Sequence, residues 1–330
     1  MSINLLLVSP YSQEFYGGVQ NQLTIIQKSL PENEFNIKFL SPDTNDFNFG
    51  RPIKIPFNGS VAPIKLLPNK KTISKALAWA DIVHIHEPFI PIFLWRIPVN
   101  NKTIVTHHAS LSNFLSSLQK KAISAELNAF KITAVSHEAA AHSHPKAKID
   151  IIPNTIVDKN PKQEFTGGND FLFIGRNEKR KNFKLYENFS NLTINKKYKF
   201  RAITNKSEPK SNISIYKNPN EILKSELLTK SSIYIAPNTH GESFGITIIE
   251  AINSGCIAVC SDLKAFKDLL GDSGVYFENN NLDSLLSTTQ NLLKNDLNSV
   301  FMKQKKYIEK YMSDKVIPSW ISIYTQTVSY

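Results

Sequence analysis

The stretch that decides the fold is Ser232–Pro237 (SIYIAP), followed after two residues by His240–Gly255 (HGESFGITIIEAINSG). The first run is apolar and short, as in a buried strand, and the second is a glycine-containing turn that leads into an apolar helix. Glu242 and Glu250 are then eight positions apart. A strand, turn and helix in this order place both acids at the carboxyl edge of a sheet, where open α/β folds bind ligands. The pair by itself would equally suit an amphipathic helix with two exposed acids.

The same alternation of apolar runs and helical segments extends over the whole chain. Near-continuous apolar runs indicate strands that are covered on both faces, and therefore parallel sheets between helices. The predicted strands are 3–9, 35–40, 81–86, 102–107, 131–136, 149–152, 171–175, 198–203, 232–236, 256–260 and 275–277. The predicted helices are 19–30, 73–80, 116–130, 137–142, 183–192, 220–228, 282–295 and 297–311, together with the apolar helix that leads to Gly255.

A chain of 330 residues is too long for one core, and two doubly wound domains are expected. Residues 158–169 are rich in Pro and Gly and predict a linker. We therefore expect two Rossmann-like domains, residues 1–157 and residues 158–314, that face a central cleft. Residues 315–330 are apolar on one helical face, so we predict that this segment packs back on the first domain.

The first residues, the cysteines and the net charge indicate which cellular compartment and which binding partners to expect. The chain starts without a basic signal-peptide region, and it has no apolar run of the roughly 20 residues needed to span a bilayer. Cys256 and Cys260 are the only cysteines, and their spacing on a strand is too long for a disulfide. We expect a cytoplasmic protein. The net charge of +11 favours anionic partners such as nucleotide diphosphates or acidic lipids, and no basic stretch has the aromatic pattern of a nucleic-acid module.

Two turns could approach a phosphate. Gly17 and Gly18 follow the first strand and open the first helix, where the lack of Cβ atoms lets the backbone come close to an anion. The pair matches neither the dinucleotide fingerprint nor the phosphate loop, so a plain turn explains it equally well. Arg176 and Lys181 follow the first strand of the second domain and could bind a diphosphate as guanidinium fork and point charge. A solvated basic turn is the alternative.

Histidines cluster at the ends of two strands of the first domain. His84 and His86 share one face of a strand, and a structural role is favoured over a metal site because a third ligand is lacking. His107 and His108 end the next strand and point toward the same edge, so that one of them could contact a substrate. No metal site is predicted.

Lysines alternate with apolar residues between Asn58 and Lys75. This pattern could form a patch that binds anionic lipid headgroups. An ordinary solvated face is the stronger interpretation.

Taken in order, these motifs resemble the retaining GT-B glycosyltransferases that carry the Glu-x7-Glu motif, and more narrowly the phosphatidylinositol α-mannosyltransferases. The segments that carry the resemblance are Pro10–Gln20, Ile55–Ala62, Val83–Pro88, Ala134–Ser136, Ile152–Asn154, Gly175–Arg176, Gly241–Glu250 and Ser261–Phe266. The Glu-x7-Glu segment is specific for the broad family, and the strings from Asn58 and from His84 point to the narrower group.

The resemblance implies a role for each matching position. It implies that the donor site comprises Gly17, Gly18, Arg176, Lys181, Glu242, Phe244, Gly245, Ile246 and Glu250. Within this set Arg176 and Lys181 bind the diphosphate, Glu242 and the backbone after it hold the transferred sugar, and Glu250 binds the ribose. The implied catalytic residues are His108, Glu242, Arg176 and Lys181. The implied acceptor contacts are Tyr11, Gln20, Asn58 and His108.

The resemblance also implies the reaction. Such enzymes retain the anomeric configuration, and the protein stabilises the departing diphosphate without a tightly held metal, although a divalent cation could stimulate transfer. We expect a hexosyltransferase that uses mannose from GDP-mannose and a lipid-linked or glycan hydroxyl, peripheral on the inner face of the membrane. The chain departs from the family pattern at four places: His107 replaces Phe, the 176–181 turn is one residue shorter, a Thr-Asn-Lys turn from Thr204 replaces a glycine-containing one, and His240-Gly241 replaces Gly-Gly. The last two leave the choice of donor base and sugar open. A UDP-sugar transferase of surface polysaccharide synthesis and a non-catalytic nucleotide-sugar-binding relic are the alternatives.

Overall fold

The protein, analysed as a computed structural model, divides into two compact units: residues 1–155 together with 313–330, and residues 156–312. The structure describes residues 2–14, 17–57, 60–65, 69–87, 97–109, 124–141, 143–157, 164–165, 170–192, 197–205 and 212–329. Asn58 and most of the predicted 116–130 helix lie outside these ranges.

The first unit contains a seven-stranded parallel sheet and a separate two-stranded hairpin. Its strands are β1 (Ile3–Val8), β2 (Phe35–Ser41), β3 (Phe47–Asn48), β4 (Ile53–Phe57), β5 (Ser60–Ile64), β6 (Ile82–His86), β7 (Thr103–His107), β8 (Lys131–Ala134) and β9 (Ile149–Ile151). Its helices before the second unit are α1 (Gly18–Ser29), α2 (Lys70–Trp79) and α3 (His137–Ala140), with a 3-10 turn at Glu126–Asn128.

The order of the main sheet is β3-β2-β1-β6-β7-β8-β9, and all of its neighbouring pairs are parallel. The strand order therefore reverses between β1 and β6. Alternate residues of β1 enter two different cores: Leu6 and Val8 pack with α2, and Leu5 and Leu7 pack with α1. This two-sided burial explains why the strand sequence is continuously apolar.

The second unit is a six-stranded parallel sheet with the order β12-β11-β10-β13-β14-β15. Its strands are β10 (Asp170–Ile174), β11 (Lys199–Ile203), β12 (Ile213–Tyr216), β13 (Ile233–Ala236), β14 (Ile257–Ser261) and β15 (Val275–Phe277). Its helices are α4 (Phe183–Asn191), α5 (Glu221–Lys230), α6 (Ile246–Asn253), α7 (Lys264–Leu270), α8 (Leu282–Leu292) and α9 (Leu297–Ile308), with 3-10 turns at Lys179–Lys181, Gly271–Ser273 and Glu309–Tyr311. Numbered within the unit, this is the 3-2-1-4-5-6 order of a dinucleotide-binding sheet, and it reverses between β10 and β13.

The last helix, α10 (Ser313–Ser329), belongs to the first unit although it follows the second in the chain. Its residues Val316, Ile317, Trp320 and Tyr324 are buried in the same core as Leu23 of α1. Their spacing of one, three and four places them on one face of the helix. The doubly wound α/β class predicted from the sequence is confirmed, whereas β3, the β4–β5 hairpin, β12 and α7 were missed.

Candidate active site

The predicted acid pair and basic turn meet at the point where the second sheet reverses its order. The basic turn follows β10 and the loop that carries Glu242 follows β13, and these two strands are hydrogen-bonded neighbours. The backbone N–H of Thr239 donates to the carbonyl oxygen of Arg180 at 2.8 Å and joins the two loops directly. In open α/β sheets this crevice beyond the carboxyl ends is where ligands bind.

Glu242 is the centre of a compact polar cluster. Its Oε2 lies 2.6 Å from Nζ of Lys181 and 2.7 Å from Nδ2 of Asn238, with Nη1 of Arg180 at 3.8 Å. The side chains of Glu242 and Lys181 are only 15% and 17% exposed. All three contacts fall on Oε2, and Oε1 takes no part in them.

Burial and charge act in opposite directions on Glu242. Desolvation alone would raise the pKa of its carboxyl group, but attraction to Lys181, and then to Arg180, outweighs desolvation and holds the pKa below its ordinary value. Glu242 is therefore a carboxylate at neutral pH. An anion in this position accepts hydrogen bonds and cannot donate one.

The guanidinium nearest to Glu242 belongs to Arg180, which the sequence analysis did not single out. Arg180 donates from Nε to Glu178 at 2.9 Å and from Nη1 to the carbonyl oxygen of Gly241 at 3.1 Å. Arg176 is half exposed, and its Nη1 lies 3.6 Å from Glu178. Arg180 thus anchors the basic turn to the acidic loop, and Arg176 extends from the outer side of the same turn. The prediction that Arg176 binds a diphosphate stays a prediction.

Two glycines shape the loop between β13 and α6. Gly241 and Gly245 have φ angles of +64° and +97°, which a residue with a side chain rarely adopts. A Cβ on Gly245 would also lie 3.0 Å from the ring of Phe266. The first N–H groups of α6, at Ile246 and Thr247, have no acceptor inside the helix, as at any helix start. Phe244 directs its ring into the core against Tyr311, with 5.4 Å between the ring centroids, so only its backbone is near this turn.

Glu250 makes a separate ion pair on α6. Its two carboxylate oxygens lie 3.1 and 3.0 Å from Nζ of Lys224 on α5, and both side chains are largely buried. Lys224 was missed because a lysine within a short helix is normally solvated. Tyr234 is influenced by both acids: burial raises its pKa, and the charges of Glu242 and Glu250 add to that effect. Its hydroxyl donates to Thr247 at 3.0 Å.

The predicted phosphate turn of the first unit opens α1 at the carboxyl end of β1. Gly17 is extended, and a Cβ there would lie 2.4 Å from Oε1 of Gln20. A Cβ on Gly18 would meet nothing within 4 Å, so the backbone of this residue is open on that side. Gln20 is buried and donates from Nε2 to the carbonyl oxygen of Ser12 at 3.1 Å. Tyr11 is also buried and forms a β-bridge with Ile64.

His108 is buried beside His86 in the same unit. Nε2 of His108 lies 2.9 Å from Nδ1 of His86. Desolvation, helped by the neighbouring His107, lowers the pKa of His108 to about 3, so its ring is neutral at pH 7. His107 pairs with buried Glu126 at 2.7 Å, and the other oxygen of Glu126 accepts from the backbone of His144 at 2.6 Å. This buried carboxylate is how the core accommodates the ring of His107.

The described part of the chain also bears on metal binding and on membrane attachment. There, no group of three or more His, Cys, Asp and Glu side chains is placed to hold a metal ion. None of the helices in the same residues is long and apolar enough to cross a membrane. Cys256 and Cys260 are buried thiols that form no disulfide. Of the lysine patch, Lys70, Lys71 and Lys75 are exposed on α2.

Two family models match successive parts of the chain. Residues 16–159 match the model described as Glycosyltransferase Family 4, and residues 155–312 match the model described as Glycosyl transferases group 1. Together the matches extend from residue 16 to residue 312, and the chain is a glycosyltransferase of the two-domain GT-B fold.

The similar proteins within this class have a more specific description. Phosphatidyl-myo-inositol mannosyltransferase of Mycobacterium leprae is 26% identical over 82% of this chain and 81% of its own length. The protein of the same description from Propionibacterium freudenreichii is 28% identical over 81% and 79%. The resemblance that the sequence motifs indicated is confirmed.

Solved structures agree on the fold. A glycosyltransferase from Rickettsia africae superposes with a TM-score of 0.70 at 18% identity, covering 99% of both chains. The Anabaena protein HepE, in complex with UDP-glucose, gives a TM-score of 0.69 at 11% identity and covers 98% of both chains. At these identities the similarity establishes the GT-B architecture and nothing finer.

Proposed function

We propose that this glycosyltransferase moves a hexose from a nucleotide-sugar donor to a hydroxyl group of a lipid-linked acceptor, with retention of configuration. Mannose from GDP-mannose is the first candidate, because the curated relatives are named as mannosyltransferases of phosphatidyl-myo-inositol. The observation that carries the proposal is the cluster of Glu242, Lys181 and Asn238 at the reversal point of the second sheet.

The cluster has hydrogen-bonding capacity left for a nucleotide sugar. The ammonium group of Lys181 has three N–H donors and gives one to Glu242, so two are available to diphosphate oxygens. Oε1 of Glu242 is outside the cluster's own contacts and can accept from a sugar hydroxyl. The open N–H groups at the start of α6 add donors beside them.

Glu250 suits the ribose. A carboxylate offers about four acceptor positions, and Lys224 donates to Oε1, whereas the buried Oε2 accepts no hydrogen bond within the described structure. The remaining positions match the two adjacent hydroxyls of a ribose. Lys224 then keeps the carboxylate charged and oriented whether or not a ligand is bound.

Retaining transfer leaves charge on the departing diphosphate, and that charge is what the protein has to stabilise. We assign this role to Lys181 and Arg176, because preorganised cations act most strongly in a site shielded from water. We assign His108 a contact with the reacting sugar. Neutral and buried, it is suited to a hydrogen bond rather than to proton transfer at pH 7.

A UDP-sugar donor is the second candidate. It is supported by the similarity of fold to the Anabaena protein in complex with UDP-glucose. The non-catalytic alternative is less well supported, since Glu242, Glu250, Arg176, Lys181 and His108 are all intact in the sequence.

A transfer assay tests the proposal. Purified protein is given labelled GDP-mannose or UDP-glucose together with vesicles that contain phosphatidylinositol, and label in the lipid extract is measured with and without Mg²⁺. We expect transfer from one donor, and loss of transfer in Glu242→Gln but not in Glu309→Gln, an exposed acid of the same unit. Absence of transfer from both donors to any lipid or glycan offered would contradict the proposal.

We further propose that the lysine patch attaches the enzyme peripherally to an anionic membrane. Changing Lys65, Lys70, Lys71 and Lys75 to Gln should reduce co-sedimentation with acidic vesicles. The matched control is Gln at Lys217, Lys294, Lys303 and Lys306, four exposed lysines of the second unit. Equal losses in both variants would show a general charge effect and no membrane patch.

A further inference from the structure

A chain of hydrogen bonds in the first unit has a direction that the geometry fixes. The hydroxyl of Thr133 donates to the carbonyl oxygen of Val105 at 3.3 Å. Because a hydroxyl has one hydrogen, Thr133 must accept from the hydroxyl of Thr106, 2.7 Å away. Thr106 must then accept from Nε2–H of His84 at 2.7 Å. Burial lowers the pKa of His84, so the ring is neutral, and its Nδ1 accepts from the hydroxyl of Tyr324 at 2.8 Å.

The fixed ring of His84 supports His86. The two ring centroids are 3.9 Å apart, and the ring centroid of Trp320 of α10 is 4.8 Å from that of His84. His86 is in turn 5.1 Å from the ring of His108. The rings form a row from the C-terminal helix to His108, all within one unit.

The bond between His86 and His108 also has a preferred direction. Burial is the largest cause that lowers the pKa of both rings, so both are neutral and only one of the two facing nitrogens carries a hydrogen. If His108 donated, Nε2 of His86 would carry the hydrogen of its own ring, and no described residue accepts from that buried atom. Buried N–H groups without an acceptor are rarer than acceptors without a donor. His86 therefore donates from Nδ1, and His108 carries its proton on Nδ1.

We propose that His86 is a positioning residue for transfer: its Nδ1–H holds His108 as the Nδ1–H tautomer, with the ring oriented to donate a hydrogen bond to a substrate oxygen. The C-terminal helix takes part through Tyr324 and Trp320, which hold His84 against His86. This inference rests on the contact between His108 and the sugar under the proposed function. It further states that Nε2 of His108 is occupied by His86 and is unavailable as a base.

Nuclear magnetic resonance of ¹⁵N-labelled histidine side chains tests the tautomer without any substrate. The chain has eight histidines, and His108 is assigned as the signal lost in His108→Gln. We expect a protonated Nδ1 and an unprotonated Nε2 for His108, with a ¹⁵N–¹⁵N coupling across the hydrogen bond to His86. A proton on Nε2 of His108 in the native protein would overturn the inference.

Variants connect the tautomer to transfer. His86→Phe keeps a ring but removes the donor, so the His108 signals should change and kcat should fall by about 10- to 100-fold with donor affinity unchanged. His86→Asn keeps an N–H donor near the position of Nδ1 and should restore most of both. His137→Gln, an exposed histidine of the same unit, is the control.

The outcomes separate this inference from the proposed function. A changed His108 signal in His86→Phe with unchanged kcat would overturn the positioning role, while transfer itself would stand. Full activity in His108→Gln would remove His108 from the proposed reaction, whatever its tautomer. If His86→Phe does not fold, the coupling in the wild-type protein and the activity of His86→Asn still decide the question.

Discussion

The two units have sheets of closely similar order, but the edges where their strands end differ in charge. In the first unit the carboxyl-end residues of β6 and the residue after β7 belong to a neutral network of imidazoles and hydroxyls that includes His84, His86 and His108. In the second unit the residues after β10 and β13 form an ionic cluster around Glu242 and Lys181. Both sets are deeply buried, so burial is not what separates them.

The difference lies in whether a buried group has a partner of opposite charge. His86 and His108 have none in the described structure within hydrogen-bonding distance, and burial therefore lowers their pKa values and removes their charge. Glu242 has Lys181 and Arg180, and it keeps its charge although it is also largely removed from water. The carboxyl edge of the second unit's sheet therefore suits a charged ligand, whereas that of the first unit's sheet offers neutral hydrogen bonds.

The largest expected effect concerns the ionic cluster around Glu242 and Lys181. Lys181→Met removes the cation assigned to the diphosphate, and transfer should fall by about 1,000-fold, the upper range for loss of a single charge-stabilising donor. Lys184→Met, at a 69% exposed lysine two residues into the neighbouring helix, is the control. Initial rates at saturating donor measure the effect. Less than a tenfold loss in Lys181→Met would contradict an electrostatic role.

The buried, neutral His108 of the first unit should make the protein less stable in acid. The folded-state pKa of His108 is about 3. As the pH falls through about 6.5, this histidine therefore binds a proton in the unfolded chain but not in the folded chain. Its contribution to the free energy of unfolding is therefore complete above pH 6.5, and about 2 kcal/mol of it is lost between pH 6.5 and 5. All three tryptophans lie in the first unit, so their fluorescence in urea reports its unfolding selectively.

The variant His86→Phe tests whether the buried histidines cause the loss of stability in acid. The variant lacks one of the buried neutral histidines, so its stability should change less steeply over the same pH interval. His137→Gln should keep the slope of the native protein. Identical slopes in all three proteins would mean that the buried histidines are not the cause of acid sensitivity.

The smallest expected effect concerns Tyr324, whose hydroxyl is hydrogen-bonded to His84. Tyr324→Phe leaves Nδ1 of His84 without its donor and should lower the free energy of unfolding of the first unit by about 1–2 kcal/mol. Tyr198→Phe in the second unit should change tryptophan-monitored unfolding by much less. A Tyr324→Phe protein as stable as the native one would contradict a stabilising hydrogen bond between Tyr324 and His84.

Most of the parallel strands could be predicted because burial on both faces gives them a strong local signal. β1 and β13 were predicted to within one residue at each end, whereas β4 and β5 carry Pro56 and Pro63, which weaken a strand signal. The seven-residue helix α7 is too short to show a period.

The partners within the sites could not be read from the sequence. Lys181 and Glu242 were both singled out, but their contact joins residues 61 positions apart, and Arg180 and Lys224 were missed altogether. The bond between His84 and Tyr324 spans 240 positions. Such pairings depend on which strands become neighbours, and no local pattern encodes that.

The most direct test of the account is calorimetric titration of the native protein, Glu250→Gln and Glu226→Gln with GDP and with UDP. Glu226 is a half-exposed acid that pairs with Lys230 on the helix that carries Lys224, and it serves as the matched control. The account predicts that one nucleotide binds the native protein and the control equally, and binds Glu250→Gln at least tenfold more weakly, a difference of about 1.4 kcal/mol. Equal affinity in all three proteins, or binding of neither nucleotide, would contradict the claim that the acid pair of the second unit holds the donor.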